Sequence, residues 1–215
     1  MEITAEMVRS LRERSGAGIM ECKTALTESR GDPEQAFQIL RKRGLASAAK
    51  RSGRITSEGT VASYIHPGGR VGVLLEVNCE TDFVARTAEF QEMVRNLAMH
   101  IAASQPRFVA REEVPEPILQ KEREIYLAQA RSSGRPEAAL SKIVEGKVGK
   151  FYQDTCLLEQ PYVKDPNQTV KDYITAVMAK TGENIRLRRF ARFALGEALA
   201  AEATGSHAPV SAEPA

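Results

Sequence analysis

Cysteine and histidine are scarce in this chain of 215 residues, with three of each. The cysteines, at positions 22, 79 and 156, are odd in number and far apart, so they form neither a Cys-x-x-Cys pair nor a disulfide framework. A reducing, cytoplasmic setting fits them best. The histidines fall in no His-Glu-x-x-His or Cys/His spacing typical of a metal site. We therefore expect neither a bound metal nor a cofactor.

The sequence also lacks long apolar runs. No stretch approaches the ~20 residues needed to span a bilayer, and no apolar segment of a signal peptide follows Met1. The net charge of +2 is too small to indicate a nucleic-acid partner by itself. Basic residues do cluster at Arg41-Lys42-Arg43 and along the last predicted strand. A ribosome- or RNA-binding module therefore stays open as an alternative.

Nucleotide-binding and catalytic motifs are missing as well. The chain has no Gly-x-x-x-x-Gly-Lys-Ser/Thr loop, no dinucleotide fingerprint and no Gly-x-Ser-x-Gly elbow. Carboxylates are numerous, but no pair is marked by its context as an acid and a base. The pattern favours a binding protein that neither binds a nucleotide directly nor catalyses a reaction. An enzyme with an unrecognised site is a third possibility.

Residues 1–54 predict an all-α module of three short helices followed by the start of a linker. Thr4 is a candidate N-cap of the first helix and Asp32 of the third. We interpret Gly44 as the C-terminal stop of the third helix, because glycine is favoured there. Residues 45–57 are polar and rich in alanine, which indicates a connector whose first part can be helical, with Gly53 ending any helix.

The pattern changes period after this connector. Val61–Ile65 and Val71–Val77 alternate on either side of a Gly-Gly turn, which predicts a β-hairpin. Asn184–Leu195 predicts a third strand whose alternation runs without interruption. We expect residues 55–197 to form an α+β core with a small antiparallel sheet, and the tail at 198–215 to be disordered. Helices are predicted at 87–104, 116–131, 137–145, 148–155 and 169–182, with a loop or edge segment at 157–163.

A sheet of three strands leaves vulnerable edges. Pairing with a second copy of the chain would cover one of them. We therefore expect a homodimer.

The segment between the second strand and the next helix is the most informative. Asp82 and Phe83 lie side by side on this short turn, which can present both side chains outward. An exposed apolar ring is disfavoured unless a partner protein covers it. The alternative is that Phe83 folds back into the core and that Asp82 caps the next helix.

Two longer stretches resemble a known family. Leu11–Leu26, LRERSGAGIMECKTAL, and Leu74–Ala85, LLEVNCETDFVA, closely resemble two signatures of bacterial elongation factor Ts, and Met99–Ser104 and Val144–Lys147 are also similar. The resemblance covers roughly residues 1–197. It implies a ubiquitin-associated-like three-helix domain, an α+β core, and guanine nucleotide exchange on elongation factor Tu. It also implies a single core unit, as in short members that act as homodimers.

The resemblance also implies how the segment from Thr81 to Val84 works. In the family, this Thr-Asp-Phe-Val segment enters a groove of elongation factor Tu near the phosphate and Mg²⁺ site. Phe83 would be an apolar wedge that shifts partner helices, and Asp82 would act on nearby polar groups. Together they would disturb the Mg²⁺ coordination that supports nucleotide phosphate binding.

Four further residues match partner-binding positions by the same resemblance. Arg12, Ile19 and Met20 match a surface that contacts the nucleotide domain of the partner. His100 matches the contact surface of the core. For Ile19 and Met20 the alternative is ordinary helix packing, and for His100 it is a packed histidine with satisfied hydrogen bonds.

Overall fold

The computed structural model describes residues 3–134 and 136–197. The predicted disordered tail at 198–215 lies outside the described residues. The predicted α+β class is confirmed, with a helical N-terminal region followed by helices around a small antiparallel sheet. The elements in chain order are α1 (Ala5–Ser15), α2 (Ile19–Glu28), α3 (Pro33–Arg51), β1 (Glu58–Ile65), β2 (Val71–Cys79), α4 (Asp82–Ala85), α5 (Ala88–Ser104), α6 (Glu116–Ser132), α7 (Glu137–Thr155), β3 (Pro161–Tyr162), β4 (Asp165–Thr169), α8 (Val170–Thr181) and β5 (Ile185–Ala194).

The first three helices enclose a small aliphatic core of their own. The Thr4 hydroxyl caps α1 by accepting a hydrogen bond from the Met7 amide at 3.3 Å. The Asp32 carboxylate accepts hydrogen bonds from the amides of Glu34 and Gln35, both at 2.9 Å, at the start of α3. The buried residues of this cluster are Val8, Leu11, Cys22, Ala25, Leu26, Ala36 and Leu40.

The prediction that Gly44 ends the third helix is wrong. α3 continues through Gly44 to Arg51 and packs against α8. A Cβ atom added at Gly44 would lie 3.3 Å from the Cβ of Ala179, which is tighter than an ordinary contact. Gly44 therefore serves the close approach of two helices, and half of the predicted connector is helical.

The three-stranded sheet has the order β1–β2–β5, with β2 in the centre. α5 covers its inner face, as its amphipathic sequence predicts. Alternate residues of β2 point into this core, and the opposite face carries no helix among the described residues. The largest fully buried apolar side chains of this core are Phe90, Met93, Val94, Leu97 and Ile101 of α5, Leu75 and Val77 of β2, and Leu157 and Val170.

The predicted uninterrupted alternation of the third strand is wrong. Val77 pairs with Leu187 and Glu76 pairs with Arg189, so Arg188 is an extra residue in a β-bulge. Beyond the bulge the faces exchange, because one inserted residue reverses every following side chain. Phe190 consequently packs against the core, whereas Phe193 is 71% exposed on the outer face.

The middle of the core differs from prediction in one place. α7 is one continuous helix, not two segments, and it pairs with α6 to form a helical hairpin. Gly146 and Gly149 do not interrupt it, because packing against a neighbouring helix outweighs the ~1 kcal/mol penalty of a helical glycine. The segment at 157–163 agrees with the predicted loop or edge segment, since it contains the short β3, which pairs only with β4 in a two-stranded sheet.

Candidate partner-binding surface

The turn after β2 presents Phe83 to solvent. Thr81 is the N-cap of α4, and its hydroxyl accepts a hydrogen bond from the Val84 amide at 3.3 Å. Because successive residues of one helical turn point in different directions, Val84 is buried under the turn while the Phe83 ring is 77% exposed. The alternative in which Phe83 packs into the core and Asp82 caps the helix is therefore wrong.

Asp82 lies beside Phe83 and pairs with Arg86. The carboxylate Oδ2 is 2.7 Å from a guanidinium nitrogen of Arg86 at the i,i+4 spacing, and both side chains are well exposed. Exposed ion pairs contribute little to stability because water screens them. Docking of a partner could therefore exchange Arg86 for another polar group without a large penalty.

A carboxylate from a distant part of the chain holds this turn. Glu183 Oε2 accepts hydrogen bonds from the backbone amides of Glu80 and Thr81, both at 3.1 Å. Its other oxygen, Oε1, accepts the hydroxyl hydrogen of Thr81 at 2.6 Å. The Thr81 hydroxyl therefore donates a hydrogen bond to Glu183 and accepts one from the Val84 amide in α4.

Cys79 supports the same turn from beneath. Its Sγ donates a hydrogen bond to the backbone oxygen of Thr81 at 3.1 Å. Burial raises the pKa of the Cys79 thiol to about 11, and the nearby Glu183 carboxylate acts in the same direction. The thiol therefore keeps its proton at neutral pH and remains a donor.

The linker between α3 and β1 is hydrogen-bonded to the same turn through Asn184. The Asn184 amide N–H donates to Glu80 Oε1 at 2.6 Å, and the Asn184 side chain donates to the backbone oxygens of Ser52 and Arg54 at 3.3 and 2.9 Å. Arg54 also lies 3.4 Å from the Glu80 carboxylate. The sequence analysis missed Glu80, Glu183 and Asn184, because no local pattern marks contacts across about a hundred residues. Arg86 could have been found from its spacing to Asp82.

Ile19 and Met20 form a second exposed apolar patch, on the first turn of α2. They are 56% and 71% exposed, whereas Cys22 and Leu26 of the same helix face inward. Within the described chain, the alternative of ordinary helix packing does not hold for them. Arg12 is also exposed, on α1. This patch belongs to the N-terminal helices, while α4 packs on β1, β2 and α5, so the two apolar patches are separate.

His100 is not at the surface, which corrects its expected place in the contact surface. Its ring is completely buried. Nδ1 accepts a hydrogen bond from the Val163 amide at 3.2 Å, so the proton lies on Nε2, which donates to Gln160 Oε1 at 2.9 Å. Burial lowers the pKa of His100, because the charged ring would lose its hydration. A packed histidine with satisfied hydrogen bonds is what the structure shows.

Other kinds of site find no support in the described part of the chain. Within residues 3–134 and 136–197 no group of three or more His, Cys, Asp or Glu side chains is placed to hold a metal ion. None of the helices in these ranges combines the length and the apolar character required to cross a membrane.

Comparison with known proteins places the chain beside one family. The family model described as elongation factor TS matches residues 41–197. A protein of Geobacter metallireducens named elongation factor Ts is 56% identical over 212 residues, which cover 99% of this chain and 98% of that protein. Proteins of the same name from Carboxydothermus hydrogenoformans and Fervidobacterium nodosum are 58% and 57% identical over 92% of this chain, and over 91% and 100% of their own lengths.

The exposure of Phe83 predicts that its removal leaves stability intact. We expect Phe83→Ala to change the free energy of unfolding by less than about 0.5 kcal/mol, since the ring makes few contacts in the free chain. Phe90, which is fully buried on α5, is the matched control, and Phe90→Ala should lose about 3–5 kcal/mol. Urea denaturation followed by circular dichroism measures both. Equal losses for the two variants would place Phe83 in the core.

The buried neutral His100 predicts a loss of stability in acid. Its folded-state pKa lies below the ordinary 6.5, so below about pH 6.5 the unfolded chain binds a proton that the folded chain does not. The stability advantage of the wild type over His100→Asn should therefore be constant above pH 7.5 and shrink as the pH falls, by at most about 1.4 kcal/mol per pH unit. Denaturant titrations at several pH values measure this difference. An advantage independent of pH from 7.5 to 5 would contradict a neutral, buried ring.

Proposed function

Because the chain belongs to the elongation factor Ts family, we propose that it acts as a guanine nucleotide exchange factor for elongation factor Tu in translation elongation. In this proposal it binds elongation factor Tu both with GDP and without nucleotide, and it promotes GDP release so that GTP can bind. The observation that carries the proposal is the Phe83 ring, held 77% exposed on a fixed turn.

The proposed mechanism uses the free energy of docking to distort the nucleotide site of the partner. Burying a phenylalanine ring in an apolar groove is worth ~1.5–3 kcal/mol, which corresponds to about a tenfold to hundredfold change in affinity. Phe83 supplies this term by separating partner helices, and Asp82 perturbs polar groups beside the phosphates. Thr81 and Val84 shape the turn that carries them. Displacing Mg²⁺ then weakens the hold on the phosphates.

The exchange reaction requires that the two ligands oppose each other. If this protein weakens GDP binding by some factor, GDP must weaken the binding of this protein by the same factor. The complex of all three components is consequently short-lived and can lose either ligand. The protein forms no covalent bond and is not an enzyme in this proposal.

The second apolar patch is proposed to contact the nucleotide domain of elongation factor Tu. Ile19 and Met20 offer exposed apolar surface there, and Arg12 offers a cation. We do not assign His100 to this contact, because its buried ring acts only within the fold. We propose that the protein acts in the cytoplasm, where translation occurs and where the buried thiols of this chain would remain reduced.

We do not favour the RNA-binding alternative, since acidic partners offset several of the basic residues that suggested it. Arg41 lies 3.7 Å from Asp172, and Arg43 pairs with Glu28. On β5, Arg188 and Arg189 lie 3.8 and 2.8 Å from Glu76. A surface whose charges are paired in this way attracts phosphate groups weakly.

A homodimer is the second part of the proposal. The outer face of the sheet carries an exposed apolar patch, because Gly72 of β2 lies between Ile65 and Phe193, and Leu74 lies beside Ala191. We propose that a second copy covers this face, not an edge strand, since two such faces can stack as a sandwich. The exposed apolar residues are Val61, Ile65, Leu74, Phe193 and Leu195.

Exchange activity should depend on the Phe83 ring. We expect Phe83→Ala to slow the release of fluorescent GDP from elongation factor Tu by about tenfold to a hundredfold, because the apolar docking term of ~1.5–3 kcal/mol is lost. Val163→Ala, which truncates another exposed apolar residue, should behave as the wild type. Full activity of Phe83→Ala would move the contact elsewhere, and an inactive wild type would overturn the exchange function.

The dimer proposal predicts that one charge on the outer face separates the copies. Phe193→Glu should elute and scatter light as a monomer at tens of micromolar, because a buried unpaired carboxylate costs several kcal/mol. Ile55→Glu, at an exposed apolar position in the linker, should remain dimeric. A monomeric wild type, or a Phe193→Glu variant that stays dimeric, would contradict this assignment.

A further inference from the structure

The side chain of Glu183, in the turn between α8 and β5, joins the turn at Glu80 and Thr81 to the end of a rigid helix. We propose that Glu183 is a positioning residue for the Phe83 wedge: it fixes the turn at Glu80 and Thr81 so that the ring projects in one orientation. This inference rests on the proposed exchange function.

The Glu183 carboxylate accepts hydrogen bonds from three donors. The backbone amides of Glu80 and Thr81 converge on Oε2 at 3.1 Å, and the Thr81 hydroxyl reaches Oε1 at 2.6 Å. Hydrogen bonds to an ionised acceptor are among the stronger ones in proteins. They fix both the backbone at the entry of α4 and the rotamer of the capping residue.

α4 cannot hold its own orientation. It contains only four residues, and isolated helices need about 12–15 residues to be even marginally stable in water. Its N-cap is therefore important for the turn, and the Thr81 hydroxyl accepts the Val84 amide in the same rotamer in which it donates to Glu183. Without Glu183 the hydroxyl can rotate away, and the ring of Phe83 loses its fixed direction.

Glu183 itself is firmly placed. The preceding Gly182 closes α8 in the left-handed conformation, with its amide bonded to Met178 O. The following Asn184 is buried and bonds to Glu80 and to the linker after α3. Since α3 also packs on α8, the turn at 182–184 holds both the wedge and the linker to the N-terminal helices.

Fixing the ring in advance matters for exchange. A wedge that is already ordered does not lose conformational freedom on docking, so more of its burial energy is available to distort the partner. If the Phe83 ring has no fixed direction, the protein can still bind the partner through the exposed patch at Ile19 and Met20. Loss of Glu183 should therefore reduce the rate of GDP release within the complex more than it weakens complex formation.

The test compares Glu183→Ala with Glu113→Ala in the full-length protein. Glu113 is the matched control, an exposed carboxylate that accepts a backbone amide, that of Val109, at 3.0 Å away from the wedge. We expect Glu183→Ala to lower the GDP release rate at saturating exchange factor by about tenfold to a hundredfold, as misplaced contact groups typically do. Glu113→Ala should match the wild type.

The shape of the titration separates positioning from misfolding. A variant that is only partly folded reaches the full release rate once enough of it is added, so only its half-saturation concentration rises. A variant with a misdirected wedge stays below the full rate at any concentration. Recovery of the wild-type maximum by Glu183→Ala would overturn the proposal.

A double-mutant comparison tests whether Glu183 acts through Phe83. In a Phe83→Ala background, Glu183→Ala should lower the maximal rate by less than about twofold, because residues that act through one another are not additive. A full additional loss would assign Glu183 a role independent of the ring and would contradict the proposal.

Hydrogen exchange tests the geometry without any partner. In the free protein, Glu183→Ala should speed the exchange of the amides of Glu80, Thr81 and Val84 by about tenfold or more, while the amides of α5 remain protected. If wild-type protein fails to release GDP but these amides respond, the exchange function fails and the positioning geometry stands. Amides that do not respond would overturn the positioning role whatever the activity.

Discussion

The packing of α5 against the inner face of the sheet is the interaction on which the remaining structure depends. Phe90 and Leu97 fill the space over β2, and Val73, Leu75 and Val77 of β2 are buried on the same side. Three strands provide one buried face, so the outer face is left with its apolar residues in water. The same packing fixes both the end of β2 and the start of α5. The short α4 therefore connects two fixed points of the chain.

Much of this fold follows from local sequence patterns, since amphipathic periods and turn residues are read over a few positions. The hairpin of β1 and β2, α5 and the two ends of α8 all lie close to their predicted places. The errors arise where tertiary contacts outweigh local preference. Gly44 packs against α8 and does not end α3, and the bulge at Arg188 forms where two adjacent arginines share Glu76.

The candidate site shows the same division between local and distant information. The outward direction of Phe83 follows from a neighbouring strand end and helix start, so the sequence could suggest it. The support for that direction could not be read from the sequence, because Glu183 lies 102 residues beyond Thr81. For His100, the resemblance suggested a surface position, and only the contacts with Gln160 and Val163 revealed a buried ring.

The protonated thiol of Cys79 has a consequence for how the wedge turn withstands oxidants. Oxidation and alkylation proceed through the thiolate, and a pKa of about 11 leaves almost none at neutral pH. Cys22 and Cys156 are buried as well. The Phe83 ring thus faces solvent on a turn whose own sulfur is buried and protonated, which makes Cys79 a poor target for peroxide or electrophiles.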